Sequence, residues 1–554
     1  MRYFALAGFL AATLVLFALA GHDNLFLIPG LICLALVIVG LLDILQTRHS
    51  LKRNYPILAN LRFMLEKVRP EIRQYFLESD LDGTPFNRSK RAIVYQRAKS
   101  ELDLRPFGTQ HDVYGQGFEW INHSVSPALA TGHDFRVRVG GDDCRKPYSM
   151  SLFNISAMSF GSLSANAIRA LNRGARLGGF AHDTGEGGFS RHHHEFGGDI
   201  IWEIGSGYFG CRDSAGEFSP TRFAEQAADP QIKMIEIKMS QGAKPGHGGV
   251  LPGAKVTAEI AAARGVPIGT DCISPPGHSA FSSPREMVNF IRQLRELSGG
   301  KPVGFKMCIG HPWEFMAICK AMVETGVLAD FIVIDGSEGG TGAAPLEFVD
   351  HVGTPLREGL VFAHNCLVGA GLRDRIRLGA SGRIITAFDM ARVLALGADW
   401  CNAARGFMFA LGCVQAQTCH TGKCPTGVAT QDPLRQRAIN VPDKAERVSQ
   451  FHRSTLVALG ELVRATGLSH PGELRPFHIQ RRISAHEVST FAEVYEFLRP
   501  GDLLQGTAGP RYQNHWAMSD SGSFGATDSE GRAAPAAAEN RGPQDLWKPG
   551  ALAI

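Results

Sequence analysis

Charge is scarce in this chain. Of its 554 residues only 20% are Asp, Glu, Lys or Arg, and 57 basic residues against 53 acidic ones leave a formal net charge of +4 at pH 7. So small and dispersed a surplus excludes the electrostatic footprint of a nucleic-acid-binding protein. Also missing is the even cysteine set of a secreted disulfide framework. The 11 cysteines are odd in number and spread along the chain, which points to reduced thiols or a metal centre. With 44% hydrophobic residues the chain is neither collagen-like nor largely disordered. Glycine, by contrast, is abundant at 63 residues, which favours tight turns and close backbone approach to a ligand. The length allows roughly three to four domains, or one large α/β barrel with additions.

The few charges avoid the N-terminus. Residues 4–20 carry none, and residues 25–45 carry only Asp43. At about 1.5 Å per residue each run is long enough, or nearly so, to cross the hydrocarbon of a bilayer. Residues 1–47 therefore read as a transmembrane hairpin. A cleaved signal peptide is the alternative, since Arg2 precedes the first run, but two tandem runs without a clear small-residue cleavage site disfavour it. Arg48, Lys52 and Arg53 follow the second run. By the positive-inside rule the expected location is the inner (cytoplasmic) membrane, with the bulk of the chain facing the cytoplasm.

Residues 48–140 read as a helical arm, and the amphipathic stretch 57–76 within it reads as an ordinary packing helix rather than a partner-binding one. Over residues 141–435 short apolar, β-branched runs alternate with helical stretches such as 284–297, 313–326 and 387–396. The eight runs are SMSLFNISAM, FAHDTG, IKMIEIKM, VPIGTDCIS, VGFKMCIG, FIVIDGS, RIRLGAS and WCNAARG. That alternation is the signature of a (β/α)8 TIM barrel, with an open doubly wound sheet as the alternative because periodicity does not show closure. Residues 436–504 read as a helical extension. The Gly-, Ser-, Ala- and Pro-rich residues 505–554 read as a disordered tail.

Chemistry concentrates in a few places. Cys413, Cys419 and Cys424 lie within twelve residues in LGCVQAQTCHTGKCPTGVATQ, an arrangement able to wrap one iron-sulfur cluster. Three ligands fit a three-iron cluster, or a four-iron one completed by another ligand. The remaining cysteines read as small core residues. Glycine-rich segments DTGEGG, SQGAKPGHGG and DGSEGGTGAAP follow the runs taken as strands two, three and six, where amides can approach phosphate or a flat ring. Lys306 interrupts the apolar run VGFKMCIG and needs an anion; a cofactor contact is expected over a salt bridge. Two tempting groups read as bland. His192, His193, His194 and Glu195 lack metal-ligand spacing, and His111 with Asp112 reads as a solvated turn.

Taken in order, MSFGSLS, DTGEGG, QIKM, KMSQGAKPGHGGVLPGAKV, ISPPGHS, DGSEGGTGAAP, LVGAGLRDRIRL and GCVQAQTCHTGKCPTGVATQ resemble the FMN-binding synthase domain of the glutamate synthase family, over about residues 140–435. The resemblance implies FMN in the barrel mouth and a 3Fe-4S cluster on Cys413, Cys419 and Cys424. It implies Met158, Ser159, Thr184, Gln241 and Lys306 near the isoalloxazine ring, and Gly339, Gly340 and Gly382 at the phosphate. Gln241, Lys244 and Arg264 would hold the carboxylates of 2-oxoglutarate. Electrons from an unidentified donor (a ferredoxin, a reductase subunit or a quinone) would pass through the cluster to FMN and reduce the imine formed with ammonia, or a related small carboxylate substrate.

The departures from that pattern matter too. His247 stands where the family usually has glutamate, which favours a related carboxylate as substrate. Asn402 and Ala404 replace glycines, so Arg405 is expected on the FMN phosphate. No N-terminal catalytic cysteine, glutaminase domain or glycine-repeat β-helix is expected. The hairpin keeps open a role as an electron-transfer or scaffold subunit of a membrane complex.

Overall fold

Backbone polar groups must be satisfied wherever the chain is buried, and two very different solutions serve the two compact units of this protein, Met1–Ser89 and Lys90–Ile554. A computed structural model describes residues 3–129 and 132–527. In the first unit, helices Phe4–Ala20 and Leu27–Leu45 pack on each other across a short turn, where the Asp23 carboxylate accepts from the Leu25 amide. Their outer faces are apolar and exposed, with Leu14 at 67% and Ile28 at 69%. The segment Asn24–Leu45 is long and apolar enough to cross a membrane, whereas Phe4–Ala20 is shorter, at 17 residues. Helix Leu58–Ile72 follows and buries only Ala59, so the packing helix expected over 57–76 is not what forms. Its N-terminal end is tied down by Asp43, which accepts from the Ile57 amide and the Asn60 side chain, and by the Phe63 ring against His49.

In the second unit eight parallel strands close into a barrel: β1 (Phe153–Ile155), β2 (His182–Asp183), β3 (Ile200–Ile204), β4 (Ile232–Lys238), β5 (Val303–Met307), β6 (Phe331–Asp335), β7 (Arg377–Ser381) and β8 (Trp400–Ala403). Neighbours in space are neighbours in sequence, and β8 closes on β1 with Cys401 opposite Phe153 and Ala403 opposite Ile155. This is the TIM barrel of the sequence reading, with one strand reassigned. Residues 266–274 are not a barrel strand. Their last three, Cys272–Ser274, pair antiparallel with Gly249–Leu251 in the long β4–β5 connection. The barrel strand missing from the sequence reading is β3, IIWEI, buried along its whole length. SQGAKPGHGG accordingly follows the fourth strand, not the third.

Two boundaries also move. Helix Val441–Ala465 packs on Ala165–Gly178, Ala387–Ala395 and Arg405–Ala410. Its Phe451 and His452 rings meet Phe153 at the β8–β1 seam. It is thus the outer helix that covers barrel closure, not part of a separate extension. The helical arm and extension share a small sheet, Glu119–Ile121 with Ile479–Arg482 and Val488–Thr490. Residues 505–527, expected to be loose, contain helix Pro510–Met518, after which the Ser519 carbonyl accepts from Lys320 Nζ at 2.7 Å. The rest of the expected tail lies outside the described residues.

Candidate functional site

Strand register sets which charges face inward. Glu203 on β3 lies opposite Glu236 on β4, and Gly304 on β5 lies opposite Glu236, so Lys306, two residues on, shares their face. Asp183 on β2 is opposite Ile201, two residues before Glu203. Alternation therefore points Asp183, Glu203, Glu236 and Lys306 into the barrel. Lys306 Nζ pairs with Glu203, lies 3.1 Å from Glu236 and 4.0 Å from Asp183. The anion that Lys306 meets is thus a carboxylate cluster, where a cofactor contact had been expected over a salt bridge. Burial opposes the ammonium, but Glu203, Glu236 and Asp183 hold Lys306 well above its ordinary value. Burial pushes Asp183 up strongly, with the Glu236 charge adding. Burial likewise lifts Glu236 to about 7 against the pull of Lys306. A protonated carboxyl beside a charged pair is the stable arrangement of such a buried group.

Above this core, the β1 and β2 loops interlock. A Cβ on Gly185 would sit 2.7 Å from the Ser159 amide, which brings Met158, Ser159 and Thr184 together. The Thr184 hydroxyl donates to the Gly185 carbonyl and accepts from the Glu203 amide. Beside them Gln241, Lys244 and His247 line a cavity of about 20 Å³ with Glu186 and Lys238, room for a single water-sized molecule. Lys238 Nζ lies 2.9 Å from Glu186. Burial alone would raise Glu186, but Lys238, then Arg264 and Lys244, hold it below the usual carboxylate range. Burial lowers Lys244, with Glu186 opposing. His247 is exposed, its ring edge-on to Phe348. Arg264 does not join the lining. It is buried, donating to the Phe160 carbonyl at 3.2 Å and resting on the Phe209 ring, with its Nε unpartnered.

At the β6–β8 end, the Glu338 carbonyl accepts from both Arg383 (3.0 Å) and Arg405 (3.3 Å). A Cβ on Gly340 would lie 2.5 Å from the Arg405 guanidinium, so any larger residue there would push the guanidinium aside. Gly339 donates to the Gly336 carbonyl, and Gly382 faces Leu356 and Glu338. Two guanidinium groups against glycine backbone suit a phosphate. Burial, then Arg383, lowers Arg405 to about 10.

Arg405 also begins the helix Arg405–Ala410 that leads into the thiol loop, where the Cys413 amide donates to the Met408 carbonyl at 3.0 Å. Burial raises Cys413 to about 11, and the Gln415 amide donates to its sulfur at 3.4 Å. Burial opposes the Cys424 thiolate, yet amide donors from Ala429 and the Thr426 hydroxyl lower it. An amide donor such as that of Gln415 would orient and stabilise a thiolate if the loop held a cluster.

Other residues singled out from sequence serve the scaffold. His192 pairs with Glu259, His193 with Ser190, His194 with Asp229 and Glu195 with Arg169, so they point apart. Asp112 accepts from the Tyr114 amide in an exposed turn. Asn402 accepts from the Trp400 indole.

A family model described as the conserved region in glutamate synthase matches residues 135–469. The glutamate synthase large subunit-like protein YerD of Bacillus subtilis is 38% identical over 498 residues, covering 82% of this chain and 94% of that protein. The archaeal-type glutamate synthase (NADPH) of Thermotoga neapolitana is 37% identical over 321 residues, covering 58% of this chain and 60% of that one. Among solved structures, an active chimera of (S)-mandelate dehydrogenase superposes with a TM-score of 0.42 at 13% identity, covering 71% of this chain and 98% of that one. The chain belongs to the glutamate synthase family of oxidoreductases.

Proposed function

We propose that the barrel mouth holds FMN, that Cys413, Cys419 and Cys424 hold a 3Fe-4S cluster, and that together they form glutamate from 2-oxoglutarate and ammonia. The observation that carries this reading is the position of Arg405, whose guanidinium meets the Gly340 and Glu338 backbone while its helix, Arg405–Ala410, runs straight into the thiol loop, the Cys413 amide donating to the Met408 carbonyl at 3.0 Å. Bound there, FMN would supply hydride transfer and the cluster single electrons.

The chain's own groups do the rest. Arg383 and Arg405 bind phosphate oxygens. At the rim of their cavity, the Gln241 amide and Lys244 ammonium would take one oxygen of a substrate carboxylate, and the Glu186 carboxylate would accept a hydrogen bond from the incoming nitrogen. Lys306 keeps a fixed positive charge in the barrel, and the loops around Gly185 exclude water. His247 in place of the family's glutamate favours a related carboxylate as the second reading.

The apolar hairpin supports an anchor in the cytoplasmic membrane with the barrel on the cytoplasmic side, fed by a ferredoxin, a reductase subunit or a quinone. It also supports a role as an electron-transfer subunit. Anaerobically purified protein should show flavin bands and bound iron, and Cys419→Ala should lose the iron. A spectrum without flavin would overturn the reading. Turnover against a panel of 2-oxo acids separates the substrates. Electron exchange without any substrate-dependent flavin reoxidation would favour the electron-transfer role.

A further inference from the structure

Helix Leu58–Ile72 and the turn Arg73–Leu77 that continues it carry an apolar stripe left open to solvent. Leu58, Leu61, Leu65, Val68, Ile72 and Phe76 recur at steps of three and four, which places them on one face. Leu61 is 54% exposed, Leu65 51% and Phe76 82%. Arg62, Arg69 and Arg73 follow one edge of that face. An isolated helix of this length is marginal in water, so something must cover the stripe.

The start of the stripe is tied to the hairpin. Asp43, two residues before the end of helix Leu27–Leu45, is buried, accepts from the Ile57 amide at 3.0 Å and from the Asn60 side chain, and lies 3.9 Å from Lys52. A Cβ on Gly40 would lie only 3.0 Å from the Ile57 side chain. These contacts tie the start of the amphipathic helix to the last turn of the apolar span. That level is the boundary between hydrocarbon and headgroups if the span crosses a bilayer.

We propose that residues 58–77 form an interfacial helix, lying in the headgroup layer of the bilayer that the hairpin enters, with its stripe in the acyl boundary and Arg62, Arg69 and Arg73 on anionic lipid. The proposal rests on the membrane-anchor reading. It commits to lipid because the stripe continues an apolar surface already in the same unit, and because guanidinium groups along its edge complement phosphate headgroups.

The test uses the full chain, reconstituted in vesicles of phosphatidylcholine and phosphatidylglycerol containing a diazirine-bearing phospholipid, with photolabelled residues mapped by mass spectrometry. Labelling is expected at Leu61, Met64, Leu65, Val68 and Ile72 and not at Glu66, Lys67 or Pro70. Leu61→Glu with Leu65→Glu should lose the labelling of 58–77 while keeping that of 24–45. Labelled 24–45 with an unlabelled 58–77 would overturn the interfacial helix and leave the anchor standing. Labelling in neither would overturn the anchor itself. Crosslinks from 58–77 to a second copy of the chain, formed in the same vesicles by an added lysine-reactive bifunctional reagent, would replace lipid by protein and also overturn the proposal.

Discussion

The two units break the same rule in opposite directions. Residues 3–89 turn large apolar side chains outward, Leu14, Ile28 and Leu65 among them, whereas the barrel turns Asp183, Glu203, Glu236 and Lys306 inward, all within 3% of full burial. Large exposed apolar patches and buried charges are both uncommon in folded proteins, so each is where a ligand or partner surface would first be sought. The difference is also one of cost. An exposed leucine weakens folding little, while a buried ion must be compensated by named partners.

The largest test removes the compensation. Lys306→Met strips the ammonium from three buried carboxyl groups and should cost about 3–5 kcal/mol in a denaturation titration. Adding Glu203→Gln should restore part of the loss, and two additive effects would show that the residues are not coupled.

Next in size is acid sensitivity. Burial lowers His182 and His452 each to about 3, against 6.5 for an ordinary histidine. The unfolded chain then binds the extra protons, so stability is full above pH 6.5 and falls as pH drops toward the folded values, by about 1.4 kcal/mol per unit per histidine. His452→Gln should flatten that fall, which the pH dependence of the denaturation midpoint measures.

Glu236 works with the opposite sign. With its carboxyl raised to about 7 from 4.5, the native state keeps a proton the unfolded state releases, and stability declines as pH rises through that window. Glu236→Gln should remove the decline, raising the Tm at pH 8 more than at pH 5. An equal change at both values would mean that the group is ionised throughout. The smallest effect belongs to the other unit. Ile28→Ser should leave the barrel's unfolding transition within about 0.5 kcal/mol of wild type.

The same contrast explains what could be read from the sequence. Periodicity revealed the barrel because buried parallel strands are continuous apolar runs, but β3 escaped because IIWEI is short and VPIGTDCIS offered another β-branched run that completed a count of eight. The reasoning that singled out Lys306 as a charge in an apolar strand applies equally to Glu203 and Glu236. Applied to IIWEI and IKMIEIKM, it would have named the partners of Lys306. Glu186, Lys238 and Arg383 escaped for another reason. They gather only once separate loops meet at the strand ends, a juxtaposition without local signature. The motif-borne residues Gln241, Lys244 and His247 do line one cavity, while Arg264 is drawn away by the Phe160 carbonyl and the Phe209 ring.

Helix Val441–Ala465 covers the β8–β1 seam, yet it is made after the thiol loop at 413–424. During synthesis the three thiols leave the ribosome while the barrel still lacks its last outer wall. At about 5–20 residues per second the interval is only seconds. A chain ended at residue 435 would carry every thiol but leave the Phe153 face of β1 bare, and should be cleaved by protease far faster than the full chain. The thiols are thus made before the wall that closes the barrel, so the chain presents the loop to solvent ahead of that closure.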